Sequence, residues 1–390
     1  MQNFSFYNPT NIVFGKGQLN ELDNLVPKSA KVLITYGGGS AKSTGLLDTV
    51  KNELAKSDRE VLEFGGIPAN PTFEVLVKAI ELVRTERVDF LLAVGGGSVI
   101  DGTKFICVAA CADEFVGRER ELMNYGFTPV PVDDAVPFGT VLTLPATGSE
   151  MNNGAVISDG KDKLPVFSMR AFPKFSILDP TITYTLPAKQ VANGIVDAFI
   201  HTVEQYITFP AEGRFQDRAA EGILQTLIEI GKETFDNPED YDARANLVLC
   251  STMALNGLIG AGVPQDWSTH MLGHEITALA GLDHARTLAA VLPANWRVRK
   301  EQKREKLLQY AERVWNITEG SEDARIEEAI TKTEAFFQSL DVPTTLSGYD
   351  LGKDFVEKVA ASLEKHGMTA LSEHGDVTLD VSRKILRVAF

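Results

Sequence analysis

The sequence predicts an α/β domain built on a Rossmann-like parallel sheet, followed by an all-α domain. Three observations carry this. Over the first 180 or so residues, short apolar runs alternate with amphipathic runs. Several apolar runs end in glycine-rich turns, the pattern of strand, loop and helix repeated along a parallel sheet with helices on both faces. Beyond Pro187 almost only helical periodicity remains. The expected domains are residues 1–184 and residues 185–390.

In the first domain, KVLITY (31–36) reads as a buried strand ending in Gly37-Gly38-Gly39-Ser40, with a helical run after it. REVLEF (59–64) is the next strand. Asn70-Pro71-Thr72 opens a helix over FEVLVKAIELVRTE, with Thr72 as its N-cap. VDFLLAV (88–94) is a strand that runs into Gly95-Gly96-Gly97-Ser98 and a helix. FGTVLTLP (138–145) leads to Ala146-Thr147-Gly148-Ser149-Glu150. After Ile177-Leu178-Asp179-Pro180 the helical half begins, with segments such as LPAKQVANGIVDAFIHTVEQYI and WSTHMLGHEITALAG.

Composition narrows the function classes. At 44% hydrophobic and 23% charged, the 390 residues match a globular protein large enough for two cores. A formal charge of −15 opposes nucleic-acid binding, which needs basic surface. No apolar run approaches the roughly 20 residues of a membrane span. The first residues lack a basic stretch followed by an apolar one, so no signal peptide is expected. Cys107, Cys111 and Cys250 form no CxxC, so disulfides are not expected and a cytoplasmic location is.

A glycine turn between strand and helix lets backbone N–H groups approach an anion, and the helix N-terminus adds partial positive charge. Two GGGS turns at strand ends, with Thr143, Thr147 and Ser149 at a third, point to a bound nucleotide, since ligands of open α/β sheets sit there. Neither turn fits GxGxxG. The first, GGGSAKSTG, offers no acidic side chain to a ribose diol but does offer Ser40 and Lys42 to a 2′-phosphate. NADP(H) is therefore expected over NAD(H).

Four of the six histidines fall in two stretches of the helical half. Asp197 and His201 are four apart and share one helical face, and His270 and His274 repeat the spacing. His284 follows a turn at Gly281-Leu282-Asp283. Three imidazoles and a carboxylate suit zinc or ferrous iron. His274 is open at this point between a ligand, a residue behind the ligands and a proton donor. His366 and His374 lie in a polar stretch and are expected to be solvated. Trp267, Met271 and Met151 read either as pocket wall or as core, and core packing is expected.

The ordered motifs NIVFGKG, LITYGGGS, NPTFE, LLAVGGGSVIDGTK, LTLPATGSE, ILDPTITYTLP, VANGIVDAFIHTVEQY, GAGVPQDWSTHMLGHEITALAGLDHARTLAAVLP and, near the end, HGMT span essentially the whole chain. Through them it resembles the iron-containing (group III) alcohol dehydrogenase family, especially its YqhD-type NADPH-dependent aldehyde reductases and butanol dehydrogenases. The resemblance implies a dinucleotide-binding domain, a helical metal domain and an active site in the cleft between. It implies metal ligands Asp197, His201, His270 and His284, with His274 as a further active-site histidine. Cofactor contacts fall on Gly37, Gly38, Gly39, Ser40, Asn70, Gly96, Gly97, Ser98, Asp101, Thr143, Thr147 and Lys163. The NAD-using branches place an Asp near Gly38, and this chain does not. The implied cofactors are NADP(H) and one Fe2+ or Zn2+, the implied substrates small or medium aldehydes, and the implied assembly a homodimer that uses the N-terminal NFSFYNPTNIVF segment. The rival readings are a dehydroquinate-synthase-like lyase and a non-catalytic metal- or nucleotide-binding protein.

Overall fold

A computed structural model describes all 390 residues. They form two compact units, Tyr7–Leu186 with Pro238–Thr252, and Met1–Phe6 with Pro187–Asn237 and Met253–Phe390.

The first unit holds strands β1 (Asn11–Phe14), β2 (Lys31–Tyr36), β3 (Glu60–Phe64), β4 (Phe90–Gly95), β5 (Phe138–Leu142), β6 (Gly154–Asp159), β7 (Asp162–Phe167) and β8 (Phe175–Leu178). Six of them make one parallel sheet in the order β1-β8-β5-β4-β2-β3. The helices are α1 (Leu22–Leu25), α2 (Ser40–Ser43), α3 (Leu46–Leu54), α4 (Phe73–Glu86) and α5 (Gly97–Ala109). Alternation along the strands splits the core in two, because successive side chains face opposite ways. Leu33, Leu91 and Ala93 pack with Leu76 and Ile80 of α4 and Ile100 of α5. Val32, Ile34, Leu92 and Val94 pack with Leu22, Leu47 and Val50. Both faces are covered, which explains why these strands read as continuous apolar runs. The antiparallel hairpin β6–β7 lies outside the main sheet. The NIVF segment, read as a strand for pairing across subunits, pairs within the chain as β1 against β8.

The second unit is built from α6 (Ala188–Tyr206), α7 (Arg214–Asp236), α9 (Ser268–Ala280), α10 (His284–Val298), α11 (Lys300–Trp315), α12 (Glu322–Ser339), α13 (Phe355–Lys365) and α14 (Leu379–Val388), with one small strand pair at residues 370–371 and 377–378. Most of helix α8 (Tyr241–Ala254) belongs to the first unit. There the buried Arg244 donates to the Thr183 carbonyl at 2.8 Å, and Val248 joins the apolar core. The division is thus not a single cut in the chain. Leu272 and Ile276 of α9, Val291 of α10, Val359 of α13 and Ile385 of α14 share a further core.

Candidate metal centre and cofactor loops

Helix α6 is buried on every side from Val191 to Tyr206, yet it carries Asp197, His201 and Glu204. Polar groups taken out of water at that density need partners or a bound ion. The i, i+4 spacing puts Asp197 and His201 on one face, with His201 Nδ1 3.8 Å from Asp197 Oδ1. Helix α9 brings His270, whose Nε2 lies 4.0 Å from the same oxygen. A left-handed Gly281 (φ 69°) ends α9. His284 then opens α10 with its Nε2 3.9 Å from Asp197 Oδ1. The ligand atoms of Asp197, His201 and His270 lie within 4.8 Å of one another.

Asp197 Oδ1 and His201 Nδ1 are buried without a hydrogen-bond partner, a state that coordination of a cation would relieve. Burial pushes the His201 imidazole down to about 4, against the pull of Asp197, which leaves its nitrogen lone pair available near neutrality. One carboxylate and three imidazoles fit a borderline divalent metal. Three of these side chains are almost closed off, whereas His284 is 25% exposed. The donor set therefore opens toward solvent on the His284 side. His274 is next to it, its ring 4.7 Å from that of His284 and 6.0 Å from that of His270. Trp267, expected in the core, is only half-buried and packs edge-on at 5.3 Å from the His270 ring.

Behind the donors stands a residue that sequence reasoning passed over. The Glu204 carboxylate contacts His270 Nδ1 and accepts the His270 backbone N–H at 3.1 Å. Burial and the neighbouring Asp266 push its carboxyl up, and the amides of His270 and Thr269 pull it back. Glu204 lies three residues past His201 on the same helical face, a signal present in the sequence. His366 departs from the expectation of a solvated side chain, because its Nδ1 lies 2.8 Å from Glu275 of α9. The buried carboxylate on α9 gives it a partner that its own polar neighbourhood did not reveal. His374 is exposed, as expected, and stacks on Phe209.

In the first unit, β2, β4 and β5 are neighbours, so their carboxyl-end loops stand side by side. Gly37–Ser40 follows β2, Gly96–Ser98 follows β4, and Thr143–Thr147 follows β5. Thr143 N donates to the Gly95 carbonyl at 3.1 Å, and Asn70 N donates to Ser98 Oγ at 3.2 Å. At Gly97 a Cβ would sit 2.5 Å from Thr147 Oγ1, so glycine is required for the second and third loops to meet. Ser40 and Lys42 are exposed. Asp101 accepts from Ser149 Oγ at 2.5 Å and from the Val156 amide at 2.9 Å, with Lys104 and Lys163 nearby. The buried Lys104, also unanticipated, donates to Ser149 Oγ, Asn152 Oδ1 and the Gly154 carbonyl at 2.7 to 2.9 Å. Together they fix the Ser149–Val156 segment.

Strand-end glycine loops and a buried Asp/His donor set describe an enzyme that uses a nucleotide and a metal. The chain matches the model for iron-containing alcohol dehydrogenases over residues 9–180. It matches the C-terminal model of the same family over residues 191–374. It is 57% identical, over the full length of both chains, to the NADPH-dependent aldehyde reductase YqhD of Escherichia coli. A probable NADH-dependent butanol dehydrogenase of Bacillus subtilis is 39% identical, with 94% of this chain and 95% of that one covered. A substrate- and cofactor-free structure of the E. coli aldehyde reductase superposes with a TM-score of 0.93 at 55% identity, with both chains fully covered. The chain belongs to the iron-containing alcohol dehydrogenase family.

Proposed function

We propose that this chain reduces small and medium aldehydes with NADPH, and oxidises the alcohols in reverse, at one Fe2+ or Zn2+ held by Asp197, His201, His270 and His284. The observation that carries this reading is the gathering of three imidazole nitrogens within 4.0 Å of Asp197 Oδ1. The reductase and dehydrogenase names of the relatives favour hydride transfer over a lyase or a silent binding role.

When bound, the metal supplies Lewis-acid polarisation of a carbonyl and the nicotinamide supplies hydride. The protein does the rest. Asp197 contributes negative charge and fixes the donor geometry. His201 and His270 close the buried side and exclude water from it. His284 borders the exposed side, from which a carbonyl compound enters. His274, beside it, is placed to hold or relay the proton that the new alcohol oxygen takes up. In the nucleotide domain, residues 1–184, Gly37, Gly38, Gly39, Gly96 and Gly97 offer close backbone approach to the pyrophosphate. Ser98, Thr143 and Thr147 add hydroxyl donors, and Ser40 with Lys42 receives the 2′-phosphate. Asn70, Asp101 and Lys163 complete the proposed cofactor set.

The protein is proposed to act in the cytoplasm as a homodimer. The outer edge of β1 supports the dimer, since it lies at the rim of the sheet with Tyr7 and Phe14 exposed beside it. The charge of −15 supports a small-molecule partner over nucleic acid, and no helix is long and apolar enough to cross a membrane.

The test is Asp197→Asn, which keeps the shape and removes the charge. Loss of bound metal and of NADPH consumption with butyraldehyde, with NADPH binding retained, is expected. Full turnover in the metal-free variant would sink the ligand set.

A further inference from the structure

Glu204 joins the two helices that carry three of the four donors. It stands on α6, one turn beyond His201, and its carboxylate meets the first turn of α9. One oxygen accepts the His270 backbone N–H at 3.1 Å, and the Thr269 amide also points at the carboxylate. The other oxygen contacts His270 Nδ1. The two oxygens thus meet the first turn of α9 through its backbone and through the His270 ring. The contact sorts the two nitrogens of His270. Nδ1 faces Glu204, and Nε2 faces Asp197 Oδ1 at 4.0 Å. An imidazole that donates its Nδ1–H to a carboxylate presents a bare lone pair at Nε2, the form that a metal needs.

The backbone that carries this side chain is itself tied to the start of α9. Asp266 N donates to the Glu204 backbone carbonyl at 2.8 Å, and Asp266 Oδ1 accepts the Ser268 amide at 2.9 Å. Two carboxylates therefore share one helix start. Lys303 offsets their repulsion, with its Nζ 2.7 Å from Asp266 Oδ2 and 3.1 Å from Glu373. Asp266, Glu204 and Lys303 are each less than 5% exposed.

We infer that Glu204 is a positioning residue for the metal centre, fixing the ring and tautomer of His270 so that Nε2 is the donor, with Asp266 tying the Glu204 backbone to the start of α9 and Lys303 pairing with Asp266. The inference rests on the reading of His270 as a ligand.

Glu204→Gln tests it. A glutamine carbonyl still accepts the α9 amide, but its NH2 cannot accept from Nδ1–H. It stabilises the opposite tautomer, with the proton on Nε2. Zn2+ affinity of the apoenzyme, measured by competition with a chromophoric chelator, is expected to fall about 10- to 100-fold. Folding, followed by circular dichroism, and NADPH binding should stay at parent values. Glu204→Asp, which keeps an acceptor, should recover part of the affinity. Equal affinity in parent and Glu204→Gln would overturn the inference while leaving the ligand set intact. Asp197→Asn binding Zn2+ as tightly as the parent would instead overturn the ligand set. If Glu204→Gln fails to fold, 15N imidazole NMR of the parent apoenzyme decides. A proton on Nδ1 of His270 supports the inference, and a proton on Nε2 overturns it.

Discussion

His284 Nε2 lies 3.9 Å from Asp197 Oδ1, but the histidine side chain is 25% exposed and the aspartate only 5%. The proposed donor set is thus sealed at one end and open at the other. Alanine at either histidine position should remove bound metal and aldehyde reduction. The two variants should differ in rescue. Added imidazole can enter the gap left by His284→Ala but not the buried gap left by His201→Ala, whose side chain is 7% exposed. Titrating both variants with imidazole while following turnover checks this. Equal rescue, or none in His284→Ala, would contradict the asymmetry.

Gly97→Ala should damage the proposed nucleotide loops. The new methyl would lie 2.5 Å from Thr147 Oγ1 and 2.7 Å from its Cγ2. Overpacking of this kind costs about 1–3 kcal/mol. Urea unfolding should show a loss of that size, and KM for NADPH should rise more than kcat falls. An unchanged KM would mean that these loops do not hold the cofactor.

Gly38 is exposed with open space where a Cβ would be. Gly38→Asp should therefore fold normally. A carboxylate there would repel a 2′-phosphate and accept from a ribose diol. The ratio of kcat/KM for NADPH to that for NADH should fall by about tenfold or more, roughly 1.4 kcal/mol. An unchanged ratio would place the phosphate site elsewhere.

Lys104 gives the first unit a pH signature. Burial pushes its ammonium from 10.5 down to about 8, against Asp101 and Glu150. Between those values the unfolded chain holds a proton that the folded chain has lost. Unfolding then takes up a proton, so this contribution to stability rises with pH across the window and is flat below it. Lys104→Met removes it. The unfolding free energy of the parent relative to the variant should grow by up to ~3 kcal/mol between about pH 7.5 and about pH 10. A constant difference would contradict the assignment.

The parallel sheet was legible because β2, β4 and β5 are apolar runs ending in glycine or threonine loops. Their order in the sheet was not, since adjacency depends on pairing across long connections. The candidate cluster of Asp197, His201, His270 and His284 was legible from spacing and grouping, and the separation of His274 from it came from resemblance. Glu204 escaped notice although it shares the His201 face, because an acidic residue in a helix usually faces solvent, whereas α6 is buried on every side. Helix α10 carries Pro293, a helix breaker in isolation that the packed core around Val291 and Ala294 accommodates. The hairpin β6–β7 has apolar strands on either side of a polar turn at Gly160, but it lies outside the strand, loop and helix alternation from which the sheet was read. The return of residues 238–252 to the first unit depends on tertiary contacts of Arg244 and Val248, which helical periodicity does not encode.

The central claim is metal-dependent hydride transfer from NADPH. NADPH consumption with butyraldehyde should be followed in protein as purified, after exhaustive chelation, and after Fe2+ or Zn2+ is restored, with metal content measured at each stage. The account predicts that the rate falls to background as metal is removed and returns when it is added back. An undiminished rate in protein shown to be metal-free would contradict it.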